Sequence, residues 1–261
     1  PLVKALAVHA TFETKVCVTA QHREMLDQVL DFFDVIPDYD LDLMKPNQNL
    51  FTITSDILLG LKPVLDEFQP DYVFVHGDTT TSTAASLAAF YAGAEVCHVE
   101  AGLRTHNKRS PFPEEMNRQL TGRIADVHFA PTEESKQNLL LENIKEESIL
   151  VTGNTVIDAL MYSVGVVETL EDEGITLLKE TLDFDKDLIL VTGHRRENHG
   201  EGFLRICAAL KELAETHPNC EIVYPVHLNP NVLKPVHDIL AGIANIKLIK
   251  PLAYPAFVWL M

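Results

Sequence analysis

Apolar runs of strand length alternate with amphipathic helical stretches through almost the whole chain, and that rhythm admits few folds. Strands are expected at residues 15–19, Tyr72–His76, Glu95–Val99, Val127–Ala130, Ile149–Val151, 188–192, 221–225 and Ile246–Ile249. Several are apolar on consecutive residues, as parallel strands covered on both faces require. Between them, Leu50–Phe68 carries Ile53, Ile57, Leu61, Val64, Leu65 and Phe68 on one side, a stripe of helical period. Residues 2–8, 80–91, Glu114–Ile124, 135–141 and 203–216 also read as helices. Strand alternating with helix implies a doubly wound α/β architecture, with ligands at the carboxyl ends of the strands.

The rhythm breaks between about residues 154 and 186, where helical sequence carries the acidic patch Glu168-Thr169-Leu170-Glu171-Asp172-Glu173, and restarts at Leu188. The expected organisation is therefore a domain over 1–153, a helical connection over 154–186 and a second domain over 187–261, with the site in the cleft between the two. At 261 residues there is room for two ordinary domains. The net charge of −17 argues against non-specific binding to nucleic acid or to an anionic membrane, because both need a basic face. An anionic small ligand would need a local basic pocket, so Arg104, Arg118, Arg195 and Arg196 stand out. Cys17, Cys97, Cys207 and Cys220 form no CxxC pair and read as core residues of a protein in a reducing, cytoplasmic compartment. No signal peptide or bilayer-spanning run is visible. Pro1 opens directly into an apolar stretch, and the chain stops inside the apolar Phe257-Val258-Trp259-Leu260-Met261. Both ends read as cut from a longer protein.

Chemistry concentrates in loops after strand ends. His76-Gly77-Asp78-Thr79-Thr80 passes from strand to helix, and Asp78 serves there either as an N-cap or as a functional carboxylate. His98-Val99-Glu100-Ala101-Gly102-Leu103-Arg104-Thr105 and Pro111-Phe112-Pro113-Glu114-Glu115-Met116-Asn117-Arg118 add three carboxylates and two guanidiniums within twenty residues. That mixture suits proton abstraction beside an anionic group. Thr192-Gly193-His194-Arg195-Arg196-Glu197-Asn198 has the backbone donors, imidazole and guanidiniums of a phosphate cradle. His227, in the loop after the next strand, is expected to face the same cleft. His76, Asp78, His98 and Glu100 could also be read as metal ligands, but the nearby arginines would repel a cation and no HExxH or Cys/His cluster appears. Neither a metal nor a cofactor is expected.

Those motifs, in this order, together with Gln21-His22-Arg23-Glu24-Met25-Leu26 and Gly153-Asn154-Thr155-Val156-Ile157-Asp158, resemble the non-hydrolysing UDP-N-acetylglucosamine 2-epimerases through essentially the whole chain. The resemblance implies two Rossmann-like domains in the glycosyltransferase type B arrangement, here truncated at both ends. It implies interconversion of UDP-N-acetylglucosamine and UDP-N-acetylmannosamine, a homodimer, and a place in cell-surface polysaccharide synthesis. It assigns catalysis to Asp78, Glu100, Glu114 and His194, with Glu115 as substitute should Glu114 face solvent. Arg104, Arg118, Arg195, Arg196 and His227 are expected to bind substrate, and Gln21 and Glu24 a second, activating substrate molecule. Asp56 departs from the arginine that relatives carry in that helix. The family's opening Gly-Thr-Arg-Pro-Glu loop and later Asp-Ser-Gly-Gly loop are absent from these 261 residues, which are therefore expected to be inactive alone. Competing readings are a glycosyltransferase of the same fold, a hydrolysing epimerase, and a non-catalytic UDP-sugar binder.

Overall fold

The structure is a computed structural model that describes residues 1–20, 23–45, 48–193 and 200–261, apart from the side chains of residues 24, 25 and 231. Its elements run α1 (Leu2–Ala7), β1 (Cys17–Val18), α2 (Arg23–Phe32), β2 (Tyr39–Asp40), α3 (Leu50–Phe68), β3 (Tyr72–His76), α4 (Thr80–Ala92), β4 (Glu95–Val99), α5 (Glu114–Ile124), β5 (Val127–Ala130), α6 (Glu133–Leu141), β6 (Ile149–Val151), α7 (Thr155–Val167), α8 (Glu173–Thr181), β7 (Asp187–Leu190), α9 (Glu201–Thr216), β8 (Cys220–Pro225), α10 (Pro230–Leu240), β9 (Ile246–Ile249) and α11 (Tyr254–Leu260). Contacts divide it into two compact units, Pro1–Ala159 and Leu160–Met261.

The first unit holds a four-stranded sheet in the order β3-β4-β5-β6 and a separate pair, β1-β2. All of these pairings are parallel. Helix α3 explains how the pair is held. Asn49 caps it by accepting from the Phe51 and Thr52 amides, and Ile53, Ile57, Leu61 and Leu65 of the expected stripe are buried. That face packs on Ala84 and Ala88 of α4, on Val73 of β3, and on Cys17, Leu41 and Leu43 around the short pair. Val64 and Phe68 sit at the margin of the stripe and are only half-buried. The strand expected over residues 15–19 shortens to two residues, and β2 was not legible at all. A two-residue strand has no periodicity to detect.

The second unit has one parallel sheet in the order β7-β8-β9. Its core gathers Phe203 and Cys207 of α9, Ile222 and Tyr224 of β8, Val232, Val236 and Leu240 of α10, and Ile246 of β9. Residues 154–186 supply α7 and α8. Helix α8 is built into this unit rather than standing apart, since a Cβ on Gly174 would lie 3.0 Å from Ala256 and the Lys179 ammonium sits 5.4 Å from the Trp259 ring. In both units parallel strands carry interleaved helices, the α/β class read from the sequence. Among the described residues no helix is long and apolar enough to cross a membrane.

Candidate active site

Parallel pairing sets the geometry first. Strands β3 and β4 are in register with His76 opposite Val99, so the residues just beyond, Gly77-Asp78 and Glu100, leave the sheet side by side. Gly77 turns at φ +69° and donates its N–H to Val99 O at 2.9 Å, and a Cβ there would lie 3.9 Å from Glu100 Oε2. Glu100 itself sits at φ +66°, a left-handed conformation that is uncommon for a side-chain-bearing residue. His76 Nε2 donates to its Oε2 at 3.0 Å.

The cap of α4 is Thr79, whose side chain accepts from the Ser82 amide. Asp78 is thereby released from capping. Its Oδ2 accepts from Arg118 Nε at 3.0 Å and lies 2.8 Å from Arg118 Nη2, while Asn117 Nδ2 donates to the Asp78 carbonyl at 2.9 Å. Helix α5 thus clamps the turn between β3 and α4 through two successive residues. A second tie lies one turn on, where the Thr83 and Thr121 hydroxyls meet at 3.0 Å.

The two glutamates that begin α5 have opposite surroundings. Glu114 is half-buried, and its Oε2 is shut from solvent with no hydrogen-bond partner among the described residues. One of its two carboxylate oxygens is thus held away from solvent. Glu115 is fully buried and accepts from the amides of Thr105 and His106, from Gln119 Nε2 and from Arg118 Nη1. Burial alone would raise its pKa, but these hydrogen bonds outweigh it and hold the carboxyl below its ordinary value.

Arg104, expected to bind substrate, is placed elsewhere. Its side chain is 0% exposed, and Nε and Nη2 donate to the two carboxylate oxygens of Glu142 at 2.7 and 2.8 Å. Its Nη2 also lies where a Cβ on Gly122 would approach to 3.1 Å. This buried fork ties the loop after β4 to the end of α6, and a ligand has no access to it.

Beneath the loops, His98 donates from Nε2 to Gly77 O at 2.8 Å, and its Nδ1 is buried without a partner among the described residues. Burial, against the pull of that bond, pushes its pKa down to about 4 from 6.5. Burial likewise lowers that of His128, its neighbour across β4 and β5. The folded state therefore binds fewer protons than the unfolded chain over that interval. His98 contributes stability that is present in full above about pH 6.5 and is lost as pH falls towards 4. Urea unfolding between pH 7 and pH 5 is expected to show declining stability, with a shallower slope in His98→Gln; an equal slope in both would place the proton uptake elsewhere. Among the described residues no group of three His, Cys, Asp or Glu is placed to hold a metal ion.

A model of the UDP-N-acetylglucosamine 2-epimerase family matches residues 4–261. The chain belongs to this family. It is 60% identical over 263 residues to the UDP-N-acetylglucosamine 2-epimerase of Yersinia pestis, covering all of this chain and 70% of the relative. The crystal structure of UDP-GlcNAc 2-epimerase from Neisseria meningitidis bound to UDP-GlcNAc is similar over 100% of this chain and 70% of its own, with 52% identity and a TM-score of 0.89. The structure from Methanocaldococcus jannaschii in complex with UDP-GlcNAc and UDP is more distant, at 30% identity and a TM-score of 0.76 over 98% of this chain and 70% of that one.

For this epimerase-family chain, the first unit brings Asp78, Arg118, Glu100 and Glu114 onto the strand-end loops and the start of α5. His227 lies in the second unit, exposed just beyond β8, where its Nδ1 accepts from the Asn229 amide at 3.1 Å. His194, Arg195, Arg196 and Gln21 lie outside the described residues, as does the side chain of Glu24. Asp56 pairs with Lys45 at 2.8 Å. Two contributors went unseen in the sequence. His76 was weighed only as a metal ligand, although its position two residues before Asp78 placed it at the strand end. Tyr224, fully buried in β8, donates its hydroxyl to Gly193 O at 2.6 Å and so anchors Gly193 to β8. A tyrosine inside an apolar strand is the available signal, since a buried hydroxyl needs a partner.

Proposed function

We propose that this chain is an isomerase that interconverts UDP-N-acetylglucosamine and UDP-N-acetylmannosamine by inverting sugar C2. The C2 proton is not next to a carbonyl, so direct abstraction is hard. Departure of UDP from C1 first generates an oxocarbenium-like centre that acidifies C2, and loss of the proton leaves 2-acetamidoglucal. Re-addition of UDP with protonation from the other face completes the inversion. The scheme needs acids or bases near both faces of C2 and a firm hold on the diphosphate.

The observation that carries this reading is the placement of Asp78 and Glu100 at the ends of adjacent parallel strands, where an α/β sheet offers its loops to a ligand. Glu114, with a carboxylate oxygen shut from water and without a hydrogen-bond partner among the described residues, supplies a third group suited to proton transfer. We assign proton transfer to these three, attendance on the UDP group to His194, and substrate contacts to Arg118, Arg195, Arg196 and His227. Gln21 and Glu24 are assigned to a second-site substrate molecule. The working form is a cytoplasmic homodimer that supplies an activated amino sugar for cell-surface polysaccharide. Free cysteines at 17, 97, 207 and 220 support the reducing compartment, and the exposed Leu59, Phe90 and Tyr91 of α3 and α4 support self-association.

Incubation of the full-length protein with UDP-N-acetylglucosamine in deuterated water tests the reaction. Deuterium appearing at C2 with UDP still attached is the expected result. Free N-acetylmannosamine would instead make the enzyme a hydrolase, and absence of exchange would return it to a transferase or a binder.

A further inference from the structure

Glu115 is the most completely enclosed carboxylate around the site, and it belongs to none of the proton transfers assigned above. Its Oε2 accepts from the Thr105 amide at 3.0 Å and from Arg118 Nη1 at 3.2 Å. Its Oε1 accepts from the His106 amide at 3.2 Å and from Gln119 Nε2 at 3.1 Å. Two donors on each oxygen fill the acceptor capacity of a carboxylate, which leaves no lone pair to take a proton from substrate. With the side chain 0% exposed, substrate does not reach it either.

What Glu115 does reach is the group that holds Asp78. The guanidinium of Arg118 is planar and rigid, so orienting one edge orients the other. Nη1 is held by Glu115, while Nε and Nη2 both address Asp78 Oδ2. The same glutamate fixes the amides of Thr105 and His106, on the loop that leaves β4 after Glu100, and so connects that loop, through Arg118, to the turn after β3.

We infer that Glu115 is a positioning residue for the epimerisation: it orients Arg118, and through Arg118 it orients the Asp78 carboxylate against the sugar. The inference rests on the assignment of proton transfer to Asp78. A group that aligns a reacting carboxylate acts on the transition state more than on substrate binding, so its loss falls on kcat more than on KM. Misplacement of a reacting group by about 1 Å can cost about a hundredfold. Glu115→Gln keeps the size of the side chain but turns an amide N–H₂ towards donors, which unseats one side of the arrangement.

The test is a double-mutant cycle on C2 exchange of UDP-N-acetylglucosamine in deuterated water, with the full-length enzyme, Glu115→Gln, Asp78→Asn and the double variant. Glu115→Gln is expected to lower kcat by about 10–100-fold with a smaller rise in KM, carried by the substrate contact of Arg118. In the Asp78→Asn background the same change is expected to cost less than about threefold, since its effect passes through Asp78. Full multiplication of the two losses would overturn the inference, as would a Glu115→Gln enzyme with undiminished kcat. Asp78→Asn with undiminished kcat would remove the reading of Asp78 itself, and the inference with it. Should Glu115→Gln not fold, Arg118→Lys keeps the charge and removes the two-edged fork. It is expected to show the same loss in kcat, masked in the same way by Asp78→Asn, and unmasked multiplication would again overturn the inference.

Discussion

Glu114→Gln is expected to lower the rate of C2 exchange by about 10²–10⁴-fold, the range for loss of a general acid or base, while the melting temperature stays the same or rises. The two halves of that expectation come from one observation. Glu114 Oε2 is shut from solvent and accepts no hydrogen bond among the described residues. A carboxylate oxygen taken from water without a partner destabilises the folded state, and a neutral amide in the same space removes most of that penalty. Groups kept in such a condition are characteristic of sites where stability is given up for chemistry. Exchange kinetics and thermal unfolding on the same preparation separate the possibilities. A variant with full activity would take Glu114 out of the mechanism. A melting temperature several degrees lower would mean that Oε2 has a partner in the folded protein.

Gly102→Ala is expected to destabilise the protein by about 4 kcal/mol, from two additive causes. The residue sits at φ +90°, where an L side chain is strained. A Cβ there would also lie 2.2 Å from the Ser135 carbonyl oxygen and 2.8 Å from its carbon. These are backbone atoms at the start of α6, so no side-chain rotation relieves the overlap. The two elements cannot easily separate, because Asn138 Nδ2 donates to Gly102 O at 3.0 Å. Gly93→Ala is the control. Gly93 ends α4 at φ +81° with nothing within 4 Å of the added atom, so its cost is the strain alone, about 1 kcal/mol. Equal losses in urea unfolding for the two variants would show that the loop after β4 does not approach α6 as described. Loss of this approach would also disturb Arg104 and Thr105, and with them the setting of Glu115.

Much of the first unit was legible because the signals are local. The stripe on Leu50–Phe68 identifies a helix, and four of its six apolar positions are buried. Consecutive apolar residues identify Tyr72–His76 and Glu95–Val99 as parallel strands, of which only β4 is covered while Tyr72, Phe74 and His76 of the edge strand β3 are exposed, and strand ends locate Asp78 and Glu100 without any tertiary information. Less came through where elements are short or capped by choice among neighbours. Asp78 and Thr79 are both good cap residues, and only the folded backbone decides that Thr79 accepts from the Ser82 amide. That choice frees Asp78 for Arg118.

The sequence by itself determined the class of fold, the longer strands and helices other than α2, α10 and α11, and the loops on which chemistry could lie, since these follow from hydrophobic period and turn residues read within a few positions. The tertiary structure decided which charged residue meets which. Arg104, in the loop after β4, and Arg118, in the helix that follows that loop, stand in similar company in the sequence, each near glutamates. Yet Arg104 closes on Glu142, 38 positions away, and is buried from any ligand, while Arg118 closes on Asp78, 40 positions away, at the strand ends. Glu114 and Glu115 are neighbours with the same side chain, and the helical rotation of about 100° between them leaves one oxygen of the first without a partner among the described residues and surrounds the second with four donors. Pairings across such distances depend on where the chain returns after an intervening helix and strand, and a one-dimensional pattern does not contain that distance.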